Sequence, residues 1–385
     1  MLNSKSLNAH PYIPGLDGIR AIAFLLVYAG HTGLGSIIPG GLGVTIFFFL
    51  SGYLITTLLR VEAEKTGTVS IKQFYLRRTF RIFPPMYVTL LVWIVLATIG
   101  VFVGPVEWQP TVLASLYLTN YTDAFTLHRI QGGLNILWSL SVEEHFYLIF
   151  PWMFLFFMRK KWSLKKSSIC LAILCGIALI WRCISLGYFH RILNYEHTDT
   201  RYDSILFGCL LALCLNPFLD KMPKWVDKYS RAMAGGGFAL LLICLIFRSE
   251  FFRDTLRYSL QGIGIFGIFV WVLNSPGSWI VQRLEHPFLR LIGRRSYAMY
   301  LIHYCIIQAM ETKLHMKLWQ IMFVAAPFIY LYAWAMAKFV EKPMDTIKRR
   351  FYPKSAPNKP VAVPQPSLGF PVTIDSREQV TTRDY

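Results

Sequence analysis

LDGIRAIAFLLVYAGHTG, Leu16 to Gly33, is followed after six residues by GGLGVTIFFFLSGYLITTLL, Gly40 to Leu59. Each is an apolar block close to the length that carries a helix across the ~30 Å hydrocarbon core of a bilayer. The apolar residues come in blocks and not in a 3.6-residue stripe, which is the pattern of a chain solvated by lipid. No small-residue cleavage site follows the first block, and a second begins almost at once. The first is therefore read as a retained span and not as a signal peptide.

The same texture continues outward from this pair. Of 385 residues, 55% are hydrophobic and 16% charged, far from the balance of a soluble domain. Ten spans are expected, at about 15–34, 41–60, 82–103, 136–158, 167–187, 201–217, 232–248, 255–274, 294–312 and 319–340. The fold class is thus an all-α polytopic membrane protein. The run Val112 to Asn120 is too short to cross and reads as re-entrant or interfacial. One membrane domain is expected over 10–350. The Pro-rich, polar stretch 351–385 reads as a disordered cytosolic tail. Val340-Glu341-Lys342-Pro343 closes the last span, with the proline as its stop.

The formal charge of +18 is dealt out by side. Arg60, Lys65, Lys72, Arg77, Arg78 and Arg81 lie between the second and third spans. Arg159, Lys160, Lys161, Lys165 and Lys166 lie between the fourth and fifth. Loops on the other side carry few basic residues, such as Arg129, Arg191, Lys313 and Lys317. The positive-inside rule puts both termini in the cytosol, and the basic charge reports topology, with no nucleic-acid partner. All seven cysteines fall in or beside spans with no metal-ligand spacing, so no metal site is expected.

Within the first span, Arg20 and His31 stand eleven positions apart. At ~100° per residue they share a helix face, roughly 16 Å apart along the axis. Ionisable groups at depth in lipid cost several kcal/mol, so the pair is a functional-site candidate. In the second span Gly40, Gly41 and Gly43 precede a Phe-rich stretch that Ser51 and Gly52 interrupt. Close helix packing and close ligand approach are both open readings of those glycines. In FYLRRTFRIFPPMY, Arg78 and Arg81 share a face and could grip one phosphate-bearing ligand, while Arg77, Arg78 and Arg81 as ordinary flanking anchors is the competing reading.

The fourth span opens LWSLSVEEHFYLIFP. Ser141 and Glu144 have capping-box spacing, so Glu144 could serve the helix start. That reading does not reach Glu143, about 100° away around the helix. Its expected partner is His31, a carboxylate orienting an imidazole. Arg201 and Asp203 open the sixth span, pairing with each other or with a partner such as Asp17. Tyr297, Tyr300 and His303 lie along the ninth, where a hydrogen-bonded core histidine competes with a functional one.

Together these segments resemble the acyltransferase-3 family of membrane O-acyltransferases, which modify bacterial cell-surface and extracellular glycans. The resemblance runs through LDGIRAIA (16–23) and His31, GGLGVTIFFFLSGYLIT (40–56), RRTFRI (77–82), WSLSVEEHFYLIFP (138–151), RYDSILFG (201–208), SYAMYLIH (296–303) and VEKP (340–343). The family's arginine and histidine separated by ten residues map onto Arg20 and His31, and its cytosolic arginine pair onto Arg78 and Arg81. Two positions depart from the family pattern: Thr45 stands where an acid is usual, and His145 where glutamine follows the glutamate pair. Some members carry a fused extracytoplasmic hydrolase-like domain. This chain resembles the stand-alone kind.

The resemblance implies cytosolic acyl-CoA, acetyl-CoA by family habit, as co-substrate with no permanently bound cofactor. It implies a carbohydrate acceptor and a site in the bacterial cytoplasmic membrane. Arg20, Arg78 and Arg81, with Arg77 beside them, would hold donor phosphates. His31, oriented by Glu143, would be the general base, with an acyl-histidine route as an open alternative. Asp17, Ser51, Glu144, Arg201, Asp203, Tyr297 and His303 are supporting candidates. A transporter or flippase of an anionic small molecule or lipid-linked sugar is the competing class. It would commonly show repeated halves, and the sequence shows no internal repeat.

Overall fold

A computed structural model of the chain describes residues 12–35, 37–122, 130–188 and 195–350; the expected tail at 351–385 lies outside them. The described residues are helical, with no strand among them. Ten long helices follow in order: α1 Leu16–His31, α2 Gly40–Thr66, α3 Ile71–Thr98, α4 Trp138–Arg159, α5 Leu164–Tyr188, α6 Thr198–Cys214, α7 Lys224–Ile246, α8 Leu256–Asn274, α9 Pro287–Leu314 and α10 Leu318–Met336. Each overlaps one of the expected apolar segments in order, and α2, α3 and α9 each extend well past the apolar run.

Six of them, α2, α3, α5, α7, α8 and α10, are long and apolar enough to cross a bilayer by themselves, which makes this a multi-pass membrane protein. The other four, α1, α4, α6 and α9, carry Arg20 and His31, Glu143 and Glu144, Arg201 and Asp203, and His303. Two of these pack among other helices: α1 on α2 and α9, and α6 on α2, α5 and α8. The outer helices show lipid the apolar faces that water would not tolerate. Along α5, Ile169, Ile173, Ile177 and Ile180 are exposed at helical spacing.

Local chemistry fixes where the helices begin and how closely they cross. Gly15, at φ 86°, donates its N–H to Glu285 Oε1 at 2.6 Å just before α1. The Tyr12 hydroxyl donates to the same carboxylate, and burial together with Glu285 pushes that phenol up to about 12. Ser70 caps α3 by accepting from Gln73 N–H, and Pro287 occupies the first turn of α9, where a missing N–H costs nothing. At the α2–α6 crossing, a Cβ on Gly52 would lie 2.0 Å from Ile205 O and one on Gly208 2.0 Å from Phe49 O. Packing therefore accounts for Gly52.

Two local expectations fail. Pro343 does not stop the last helix. The helical run continues without a break through a π turn at Ala337–Glu341 and on through Lys342–Arg350, with Pro343 inside it. Ser141 and Glu144 form no capping box either. A 3₁₀ turn, Leu134–Leu137, runs directly into α4, leaving Ser141 inside the helix, where its hydroxyl meets Leu137 O and Thr119 Oγ1. The segment before α4 does not cross. It comprises a helix at Trp108–Ser115 and a turn at Thr119–Tyr121 that tucks against α4.

Candidate active site

Three helices deliver four arginines to one cavity: Arg20 from α1, Arg78 and Arg81 from α3, and Arg294 from α9. The cavity is narrow, about 120 Å³. Arg81 and Arg294 are exposed and mark its mouth, whereas Arg20 and Arg78 are partly buried. Glu143 stands among them, its Oε1 accepting from Ser51 Oγ at 2.8 Å and its Oε2 from the Tyr147 hydroxyl at 3.1 Å. The Arg78 guanidinium lies 4.4 Å from the centre of the Tyr147 ring, and Arg20 is 3.7 Å from Asp17. One carboxylate against four guanidiniums leaves the cavity strongly positive, a setting for an anionic ligand. Arg77 is elsewhere: it pairs with Glu62 at 2.7 Å and does not line the cavity.

At the other end of α1, His31 lines a second cavity of about 270 Å³. Its Nδ1 lies 3.0 Å from His303 Nε2, and His303 Nδ1 lies 2.7 Å from the carbonyl oxygen of Tyr300. A carbonyl only accepts, so the hydrogen-bond network assigns the proton to His303 Nδ1 and makes His303 Nε2 an acceptor. His31 then donates from Nδ1, which leaves the lone pair on its Nε2. His303 is fully buried, with Phe24 edge-on to its ring and Tyr304 packed on His31 at 4.5 Å. The imidazole pair is thus held in one tautomer and one orientation.

The expected His31–Glu143 contact is replaced by this pair, and the reason is depth. The start of α4 is buried against α9: a Cβ on Gly133, at φ 87°, would lie 2.5 Å from Cys305 N, and the Ser139 and Tyr300 hydroxyls meet at 2.7 Å. The helix therefore begins inside the protein at the level of the histidines. Glu143, one turn beyond Ser139, lies ~6 Å further toward the arginine end. Glu144 is buried, and its Oε1 has no hydrogen-bond partner among the described residues. Tyr297 lines the arginine cavity, and its hydroxyl donates to Ile82 O at 2.9 Å, fixing α9 to α3.

Arg201 and Asp203 do not pair with each other or with Asp17. Asp203 accepts from Arg182 Nη2 at 2.7 Å and Nη1 at 3.0 Å, with both side chains wholly buried, and from Ser259 Oγ at 2.7 Å. Arg182 had no place among the sequence candidates. The signal was present, a lone arginine inside the apolar α5, and an intramembrane charge demands a partner. Arg201 instead donates to Tyr195 O at 3.1 Å and Thr45 Oγ1 at 3.2 Å, and sits 4.0 Å from the Tyr258 ring centre. Thr45, where the family usually has an acid, leaves this guanidinium held by π faces and neutral oxygens. His145, the other departure, meets Thr198 Oγ1 at 2.7 Å.

Two wall residues, Val44 and Tyr300, are common to the arginine cavity and the His31 cavity. Gly40, Gly41 and Tyr195 line the His31 cavity together with a third of about 460 Å³, so of the glycines Gly40 and Gly41 face cavity space. Among the described residues no cluster of three or more His, Cys, Asp or Glu is placed to hold a metal ion.

The described residues thus form a multi-pass helical bundle with a guanidinium-lined cavity and, at the other end of α1, an oriented imidazole pair. The acyltransferase domain family model matches residues 13–338, and the chain belongs to that family, acyltransferase-3. It is 34% identical over 364 residues to the peptidoglycan O-acetyltransferase OatA of Listeria monocytogenes, covering 86% of this chain and 56% of that one. It is 31% identical over 315 residues to the putative peptidoglycan O-acetyltransferase YrhL of Bacillus subtilis, covering 77% and 49%. A putative O-acetyltransferase of Staphylococcus aureus, SACOL0978, is 31% identical over 323 residues, covering 78% and 52%. The chain spans about half the length of these relatives. No solved structure matches it.

Proposed function

We propose that this protein is a membrane O-acetyltransferase that takes an acetyl group from acetyl-CoA at the cytosolic arginine end and passes it to a glycan hydroxyl of the cell wall at the histidine end. The observation that carries the reading is the His31–His303–Tyr300 O chain, with His31 lining the cavity at the opposite end of α1 from the arginines. The basic loops after α2 and α4 favour ten crossings with both termini in the cytosol, so that the arginine cavity opens to the donor. Relatives named as peptidoglycan O-acetyltransferases support the acceptor class.

Arg81 and Arg294 would meet the donor phosphates at the mouth, with Arg20 and Arg78 deeper. The narrow cavity suits the slender arm of coenzyme A, which would carry the thioester past Val44 and Tyr300. His31 Nε2 takes the proton from the acceptor hydroxyl as its oxygen attacks the thioester carbonyl. The C–S bond breaks, the ester forms, and the departing thiolate takes up that proton and leaves as free coenzyme A. His303 keeps the His31 lone pair on Nε2, and its own Nδ1–H is held by Tyr300 O. That is the part the sequence reading gave to Glu143. Glu143 serves the donor side, fixing Ser51 and Tyr147 beside Arg78.

The test is acetyl transfer by the purified protein in vesicles, from labelled acetyl-CoA to peptidoglycan fragments. The wild type should label the glycan, and His31→Ala should not, while keeping wild-type folding and insertion. Label in the glycan with His31→Ala refutes the reading. Uptake of an unmodified solute without bond formation would favour the transporter class.

A further inference from the structure

The third cavity is built unlike its surroundings. It is the largest of the three, about 460 Å³, and it adjoins the His31 cavity through Gly40, Gly41 and Tyr195. Its rim comes from the connection between α7 and α8 and the first turn of α8, where Arg248, Arg253 and Arg257 fall within ten residues and all line the cavity. That connection lies at the histidine end, the side on which positively charged loop residues are otherwise sparse. Topology therefore does not explain three arginines there. Arg248 and Arg253 are exposed. Arg257 is partly buried, its Nη2 donating to the Tyr258 hydroxyl at 3.2 Å, and its buried Nε has no hydrogen-bond partner among the described residues.

The walls add to this. Tyr195 and Tyr258 present ring surfaces, and Gln261 an amide, which is a lining suited to the apolar faces and hydroxyls of a sugar. Beneath them lies Arg201, fully buried and held by the Tyr258 ring, Tyr195 O and Thr45 Oγ1. Glu196 and Asp254 also line the cavity and are engaged by contacts of their own. The basic groups outnumber the acids, and the buried one lies directly behind the aromatic wall.

We infer that this vestibule is the acceptor subsite, and that it selects a saccharide carrying an anionic group, a carboxylate or a phosphate, which Arg253 and Arg257 hold while the hydroxyl to be acylated reaches His31. The inference rests on the transferase reading for the chemistry that follows, but the binding it predicts needs no donor and no chemistry. Opposite charge here would also retain the acceptor against water until the thioester arrives.

The experiment is equilibrium binding to the purified full chain in detergent, without donor, using three probes. These are neutral chitobiose, the N-acetylglucosamine–N-acetylmuramic acid disaccharide with its free lactyl carboxylate, and N-acetylglucosamine 1-phosphate. At least one anionic probe should bind about tenfold more tightly than chitobiose, and the advantage should shrink with salt. Arg253→Gln and Arg257→Gln should each remove most of it, and Arg253→Lys should keep part. The preferred anionic probe names the group. Equal affinity for all three, or an anionic preference that survives both glutamine variants, overturns the inference. The readout is the ratio of anionic to neutral affinity, so a failed transfer assay with that ratio intact would count against the base and not against the vestibule.

Discussion

Replacing Asp203 by alanine should destabilise the bundle without addressing the chemistry. Asp203 and Arg182 are both wholly buried, and the carboxylate also accepts from Ser259 Oγ at 2.7 Å and Ser204 N–H at 2.9 Å. Removing one partner strands a charged guanidinium among apolar helices, which costs ~3–5 kcal/mol. At ~2.1 cal/mol/K per residue, the unfolding entropy of a chain this long is roughly 0.8 kcal/mol/K, so the midpoint should fall by about 4–6 °C. The double variant Arg182→Met with Asp203→Leu removes both charges, and should recover most of the loss. Thermal unfolding in detergent reads the shift, and acetyl-CoA KM measured well below the midpoint should stay near the wild-type value. An Asp203→Ala protein that melts with the wild type but cannot transfer would refute the structural assignment and return Asp203 to the reacting centre.

His303→Leu leaves the His31 Nδ1 donor unsatisfied, a loss of ~1–3 kcal/mol, which is roughly 5- to 150-fold in kcat. The donor KM should not move, and His303→Gln, which can still accept, should recover part of the rate; wild-type kcat in the leucine variant would contradict the relay. Arg78→Gln and Arg81→Gln should each raise the acetyl-CoA KM about tenfold. Arg77→Gln, which disturbs only the Glu62 contact, should leave that KM alone, and equal effects at all three would show flanking anchors. Gly52→Val forces side-chain atoms against Ile205 O and should lower stability by ~1–3 kcal/mol through the α2–α6 crossing; an unchanged midpoint would mean that the two helices are not so close.

The axis of the site was legible in the first span because helical periodicity fixes direction: Arg20 and His31 had to share a face, and each lines a cavity at its own end. Periodicity does not fix depth. Glu143 was assigned to His31 on the assumption that α4 starts at the bilayer surface, whereas Leu134–Leu137 carries the chain inward first and delivers Glu143 to the arginines. His303 was visible as a costly intramembrane histidine, but only the Tyr300 carbonyl beside its Nδ1 reveals the proton arrangement. Arg182 and Arg294 were legible as charges and not as members of a site, since periodicity within one helix does not say which side chain of another helix faces it. The apolar blocks were readable from composition, and among the described residues six helices are long and apolar enough to cross unaided. The other four long helices carry Arg20 and His31, Glu143 and Glu144, Arg201 and Asp203, and His303.

The central claim is that one chain passes an acetyl group between opposite faces of a membrane. Vesicles of defined orientation, with labelled acetyl-CoA confined to the cytosolic face and a peptidoglycan fragment to the other, test it most directly. Label should appear in the glycan across the bilayer, and His31→Ala should abolish it. Transfer that requires donor and acceptor on the same face, or that proceeds without His31, would contradict the account.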